Sequence, residues 1–289
     1  MIKTICERLS FPKEAIDVFE TGYNKICTVD GSSQLALAKD LFFEGDTVQY
    51  RQILKKLSED SGVHRYTVDM IFLLTCTDRA KQIFDQKGIS EEIFRDTMLD
   101  LTEKLYECKK LHGVWGTFVV WWYPEFFRAE RFTLGRLQFE KREFPFDDYK
   151  GIVKKGDTVY NFHVPSKGPL TYDAIIDAFK RAYAFYGVSG IMPIYFSSWL
   201  IYPPHAPLYA EGSNLKKFYE LFDILGSKVS EGSREMWRVF FVLPTEDMDM
   251  STLPEDTSLQ RSFKRFLTDG NHMGSGQGII LFDGEKIIR

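Results

Sequence analysis

The sequence predicts an α+β chain: an all-helical N-terminal part, then strands and helices in alternation. Three observations carry this reading. Residues 1–116 show successive helical stretches and nothing that alternates like a sheet. From residue 131 onward the pattern turns to strand, helix, strand, helix. Near the C-terminus Asp283-Gly284 sits between two apolar runs, the strongest hairpin signal in the chain.

The helical part divides as follows. A helix over 12–27 opens with Pro12, whose missing N–H is not needed in a first turn. One over 33–43 stops at Gly45, and one over 47–57 runs into a Ser-Glu-Asp-Ser-Gly turn. The span 66–86 stops at Gly88. Ser90 caps the clearest helix, 91–111, whose acidic first turn and Lys109-Lys110 end both suit the helix dipole. Ile93, Met98, Leu101, Leu105 and Cys108 form its approximate stripe.

In the second part, 131–141 (RFTLGRLQFEK) alternates imperfectly and reads as one strand bent at Gly135. There follow a strand over 158–164, a helix over 172–186, a strand over 191–200, a helix over 215–225 and a strand over 237–243. A helix over 258–268 and a hairpin of 278–282 with 285–288 complete the chain. Thr171 and Asn214 read as helix caps, and Thr257-Ser258-Leu259-Gln260 fits a capping box. The boundary falls near 124–131, which gives a helical domain 1–125 and a sheet domain 126–289.

A formal net charge of -4 over 289 residues offers no electrostatic reason to expect nucleic acid or an anionic membrane. The longest apolar runs, such as 70–74 and 119–122, are too short to cross a bilayer. The N-terminus carries charges where a signal peptide would need an apolar stretch. Cys6, Cys27, Cys76 and Cys108 are widely scattered and read as reduced thiols in helices. A cytoplasmic protein with no nucleic-acid or membrane partner is the expectation. The 25 Phe, 14 Tyr and 5 Trp read first as a bulky core and second as the lining of an acyl or aromatic pocket.

Five segments occur in one order: LGRLQFE (134–140), FHVPSKGPLTYDA (162–174), SSWLIYP (197–203), SNLKKF (213–218) and TSLQR (257–261). Together they resemble a bacterial family of acyltransferase-domain proteins with a helical N-acyltransferase-type N-terminal domain and a GNAT-like C-terminal domain. The resemblance implies a GNAT-like mixed β-sheet, flanked by helices, that splays between two central parallel strands. It implies acyl-CoA or acetyl-CoA as co-substrate in that splay, and a small-molecule amine or amino-group acceptor. In ordinary members the pyrophosphate rests on backbone N–H groups ahead of a helix, after a Gln/Arg-x-x-Gly-x-Gly/Ala sequence. Here the matching place reads Pro165-Ser166-Lys167-Gly168-Pro169, and its two prolines offer no N–H. Two activities follow. One is an acyl-CoA-dependent N-acyltransferase working by direct attack of the amine. The other is a catalytically degenerate GNAT-like binding or sensor protein for acyl-CoA or a related ligand.

The candidate residues gather around that turn, where a strand end, a polar turn and a helix N-terminus face one space suited to an anion. His163 reads as a general base or acid, or as a histidine that fixes the turn. Ser166, Lys167 and Gly168 are the remaining phosphate donors, and Lys167 reads equally as an exposed turn lysine. Asp173 in the first helical turn weighs against an anion there. Glu140 reads as a base acting through water or as a solvated strand-end carboxylate. Arg136, in the same strand, reads as a carboxylate clamp or a cross-strand ion-pair partner. Ser198, Trp199 and Tyr202 lie on or just after the strand bordering the splay, and Tyr202 reads as an acid for the leaving thiolate or as packing. Gly274-Ser275-Gly276-Gln277-Gly278 lacks the Lys-Ser/Thr of a phosphate loop and reads as a flexible connection. No metal-ligand spacing is present, so no metal is expected.

Overall fold

In the computed structural model, which describes residues 2–288, the chain divides into two units, Met1–Thr133 and Leu134–Arg289. The first holds α1 (Ile2–Arg8), α2 (Lys13–Thr28), α3 (Gly31–Glu44), α4 (Gln49–Ser61), α5 (Arg65–Gln86), α6 (Glu91–Met98), α7 (Asp100–His112) and α8 (Pro124–Phe127). Helix α5 is its axis. Every residue from Thr67 to Thr77 is buried, so these turns have no solvent face and belong inside a bundle. Its neighbours bury one face each: α2 turns in Ala15, Ile16, Phe19 and Ile26, and α4 turns in Tyr50, Leu54 and Leu57. The four cysteines are free thiols in α1, α2, α5 and α7.

The single helix expected over 91–111 is two. Ser90 does cap α6, its hydroxyl accepting from Ile93 N at 3.3 Å. At Leu99 the chain then tightens, with Thr102 N donating to Leu99 O at 3.0 Å across one short turn.

The second unit is built on β1 (Arg131–Leu134, spanning the boundary), β2 (Leu137–Glu143), β3 (Asp148–Tyr149), β4 (Val153–Lys154), β5 (Thr158–His163), α9 (Tyr172–Phe185) and β6 (Met192–Ser198). It continues with α10 (Asn214–Tyr219), β7 (Asp223–Val229), α11 (Trp237–Phe240), α12 (Ser258–Thr268), β8 (Gly274–Phe282) and β9 (Ile287–Ile288). The main sheet runs β1-β2-β5-β6-β8-β7 with β9 on β8, and β3 with β4 forms a separate pair. Helical unit followed by mixed sheet with helices is the α+β arrangement read from the sequence. Among the described residues no helix is long and apolar enough to cross a membrane.

Several elements differ from expectation, each for a local reason. Residues 131–141 are a tight hairpin instead of one bent strand, because Gly135 (φ 68°) takes the left-handed conformation that a turn needs. The stretch 215–225 splits: α10 ends at Tyr219, and Asp223 onward pairs with β8 as β7. Its cap is Ser213, whose hydroxyl accepts from Lys216 N at 3.2 Å, not Asn214. Residues 237–240 are a short helix instead of a strand, with Val239 and Phe240 packed beside Met236, Phe263 and Met273. Tertiary burial overrides local propensity at both places.

The glycine run 274–278 is no loop but the first half of β8. A Cβ at Gly276 would sit 1.9 Å from Ile201 O, and one at Gly274 would sit 2.5 Å from the Tyr202 ring. The glycines let the segment after β6 fold down onto the strand. The other end markers hold: Thr171 caps α9, Thr257 and Gln260 complete the capping box of α12, and Asp283-Gly284 turns β8 into β9.

Candidate active site

The two parallel strands at the centre of the sheet are β5 and β6. They pair at Tyr160↔Ile194 and Asn161↔Tyr195. Beyond these, Phe162-His163 keeps its pairing to β2, and Phe196-Ser197-Ser198 keeps its pairing to β8. At this level the backbone ladder between β5 and β6 therefore ends, a wedge in the pairing of the sheet. Strand alternation sorts the side chains around it. Gln138, Glu140, Asn161, His163, Tyr195, Ser197 and Gln277 share one face, and Phe139, Phe162 and Phe196 share the other.

On the polar face Glu140 is 3 % exposed, in the middle of β2. This corrects the solvated strand-end reading: β2 runs on to Glu143 and buries the carboxylate. A buried carboxylate needs donors, and its Oε1 has Asn161 Nδ2 at 2.8 Å, Arg142 Nε at 2.8 Å and His163 Nε2 at 3.0 Å. Asn161 Nδ2 also lies 3.1 Å from His163 Nε2, so amide, carboxylate and ring nitrogen form one cluster. In the tautomer that donates from Nε2 to the carboxylate, Nδ1 is the basic nitrogen. The His163 side chain is 25 % exposed and that of Glu140 only 4 %. The result is a carboxylate–imidazole pair that opens toward solvent only at the ring. The structure thus joins two residues that the sequence nominated separately.

Two further groups on this face escaped the sequence reading. Asn161 lies two residues before His163 in the same strand, so alternation alone would have found it. Tyr195 Oη accepts from Gln277 Nε2 at 2.8 Å, and burial pushes its phenol above the ordinary range, so the hydroxyl stays protonated at neutral pH. Its link to Gln277 depends on the pairing of β6 with β8, which no local pattern reveals.

Arg136 lies in the β1–β2 turn instead of within a strand. Its Nη2 donates to Pro165 O at 2.8 Å and Gly168 O at 2.9 Å, and its Nε donates to Pro169 O at 3.1 Å. One guanidinium thereby holds the whole Pro-Ser-Lys-Gly-Pro turn by its carbonyls. Ser166, Lys167 and Gly168 are exposed on this turn, and Gly168 takes a positive φ of 88°. Helix α9 follows at once, with Asp173 in its first turn.

Ser198 ends β6, opposite Gly276, and Trp199 and Tyr202 belong to the segment that follows and folds over β8. The Ser198 hydroxyl accepts from Leu200 N at 3.2 Å, and the Trp199 ring meets Phe263 edge-on at 5.8 Å. Tyr202 is buried with its ring against Gly274. Nearby His205 donates from Nδ1 to Trp199 O at 2.8 Å, while its buried Nε2 has no hydrogen-bond partner. Burial pulls its pKa down to about 4. Among the described residues no group of three or more His, Cys, Asp or Glu is placed to hold a metal.

A mixed sheet that parts between two central parallel strands, with a polar turn feeding a helix beside the gap, defines a GNAT-like domain. The chain belongs to that family: the GNAT-like C-terminal domain matches residues 132–280, and the N-acyltransferase N-terminal domain matches residues 1–129. The fold is shared with solved acyltransferases. One, in complex with decanoyl-CoA and teicoplanin, is 18 % identical, with a TM-score of 0.72 over 97 % of this chain and 87 % of that one. A mutant acyltransferase in complex with octanoyl-CoA is also 18 % identical, with a TM-score of 0.70 over 96 % and 86 %. A third, in complex with CoA and 10C-teicoplanin, is 17 % identical, with a TM-score of 0.65 over 96 % and 99 %. No curated protein matches.

Proposed function

We propose that this protein is an acyl-CoA-dependent N-acyltransferase that passes an acyl group from a CoA thioester to an amine acceptor. The observation that carries the reading is the Glu140–His163 hydrogen bond beside the wedge. The CoA and acyl-CoA complexes of the structural neighbours support a CoA thioester as the acyl donor, which we put at that gap. The exposed Ser166-Lys167-Gly168 turn and the start of α9 would then face the CoA phosphates.

Nδ1 of His163 accepts the proton that the amine loses as its nitrogen attacks the thioester carbonyl. The C–N bond forms and the C–S bond breaks. The sulfur leaves as thiolate and takes a proton, so the products are an amide and CoA thiol. Glu140 is the positioning group: three donors occupy its Oε1, so it orients the ring and stabilises the imidazolium. Tyr195, neutral and on the same face as the pair, is the group assigned to protonate the thiolate, whereas the Tyr202 ring packs on Gly274. Most of the acceleration comes from holding amine and thioester together, since this reaction needs little covalent help.

A second reading, a binding protein without turnover, draws on the Pro-Ser-Lys-Gly-Pro turn. Its two prolines and its carbonyl contacts to Arg136 leave fewer N–H donors than a usual pyrophosphate loop. A panel of CoA thioesters decides between the two. Thermal stabilisation together with thiol release in the presence of mixed amines supports the enzyme, and stabilisation without release supports the binding protein. A folded sample that no CoA species stabilises overturns both.

A further inference from the structure

We infer that the acyl group this site takes is short, at most a few carbons. The inference rests on the acyltransferase reading and concerns what fills the wedge. Phe162 and Phe196 are the first residues beyond the last paired position of β5 and β6. Their rings stack across the gap at 4.3 Å between centroids and 5° between planes. The ring stack stands where the backbone ladder has stopped. Behind it Phe218 of α10 lies 5.5 Å from Phe196, and Phe222 lies 5.5 Å from Phe196 and 5.1 Å from Phe218. Phe162, Phe196 and Phe218 are at most 2 % exposed, and Phe222 is 8 % exposed. Gly278 closes the rear, since a Cβ there would already meet Phe222 Cβ at 3.1 Å.

An alkyl chain leaving a thioester in the wedge has two directions. Toward the aromatic face it meets this stack, which is packed as a core and must be pushed apart to admit each further methylene. Toward the opposite face it first meets the polar groups of Glu140, Asn161, His163, Ser197 and Gln277, and beyond them Val159, Tyr195, Phe144 and Phe146 are already packed on one another as a core. It would also occupy the approach of the amine. In an open apolar channel each added methylene improves binding by about fourfold. Here that gain is absent in both directions. Decanoyl- and octanoyl-CoA, held by the structural neighbours, are the contrasting case.

The test is direct binding of CoA and of acetyl-, butyryl-, hexanoyl- and decanoyl-CoA to the full chain, which requires no knowledge of the acceptor. The expected result is tight binding of acetyl- or butyryl-CoA and at least tenfold weaker binding of decanoyl-CoA. Phe196→Ala should narrow that ratio to about threefold or reverse it, and the milder Phe196→Leu should narrow it in the same direction if the alanine variant does not fold. Decanoyl-CoA binding as tightly as butyryl-CoA in the unaltered protein overturns the inference while leaving the acyltransferase reading intact. Failure of every species, CoA included, removes that reading and the inference with it.

Discussion

The two faces of the sheet at the wedge are made by the same strands and are governed by different physics. On one, Glu140 is buried and must be given donors, so Asn161, Arg142 and His163 converge on a single oxygen. On the other, Phe139, Phe162, Phe179 and Phe196 need only fill space, and they do so ring against ring. Directional bonding fixes where a proton can go. Apolar packing fixes how stable the sheet is and how much room a substrate has. Truncations on the aromatic face should therefore register in stability, and truncations on the polar face in rate.

The largest effect is expected where a backbone would be struck. Gly276→Ala places a methyl on Ile201 O, so we expect a loss of about 4 kcal/mol in chemical denaturation, or no folded protein. A stability within about 1 kcal/mol of the parent would mean that the 199–202 segment does not lie on β8 as described.

Next comes the titratable group held among rings. His205 sits with Trp199, Tyr202, Phe263 and Phe266, and its pKa is lowered from 6.5 to about 4. The unfolded chain binds its proton first, so stability from this group is intact above about pH 6.5. It is lost as the pH falls toward 4, by about 3 kcal/mol at most. Melting temperatures between pH 7 and pH 4 should drop less steeply in His205→Asn than in the parent. Parallel curves would show that the ring is not protected.

The smallest effect on stability belongs to the polar face. Asn161→Ala removes one donor from Glu140 while Arg142 and His163 remain, so about 1–2 kcal/mol is expected. A loss as large as that from Gly276→Ala would erase the distinction between the faces.

Much of this was legible in the sequence because its signals are local. Thr171, the Thr257–Gln260 capping box and Asp283-Gly284 mark ends through bonds within a few residues, and each stands where expected. His163 at a strand end was equally readable. What failed depended on partners far away in sequence. The glycines at 274, 276 and 278 looked like a loop because their role is to admit Ile201, Tyr202 and Phe222. Residues 223–229 became a strand because β8 was there to pair with them. Glu140 reads as a solvated strand end in the sequence because its burial comes from strands that no local pattern aligns. Arg136 offered no hint that the Pro-Ser-Lys-Gly-Pro carbonyls were its partners.

The central claim is that the imidazole of His163, oriented by Glu140, takes the proton from the attacking amine. It is tested most directly by kcat/KM for His163→Ala, measured beside its melting curve with the best thioester and amine pair. A fall of about 10²–10⁴-fold in rate with a melting temperature close to that of the parent is the predicted result, with Glu140→Gln intermediate. A His163→Ala variant that keeps the parental rate would contradict it.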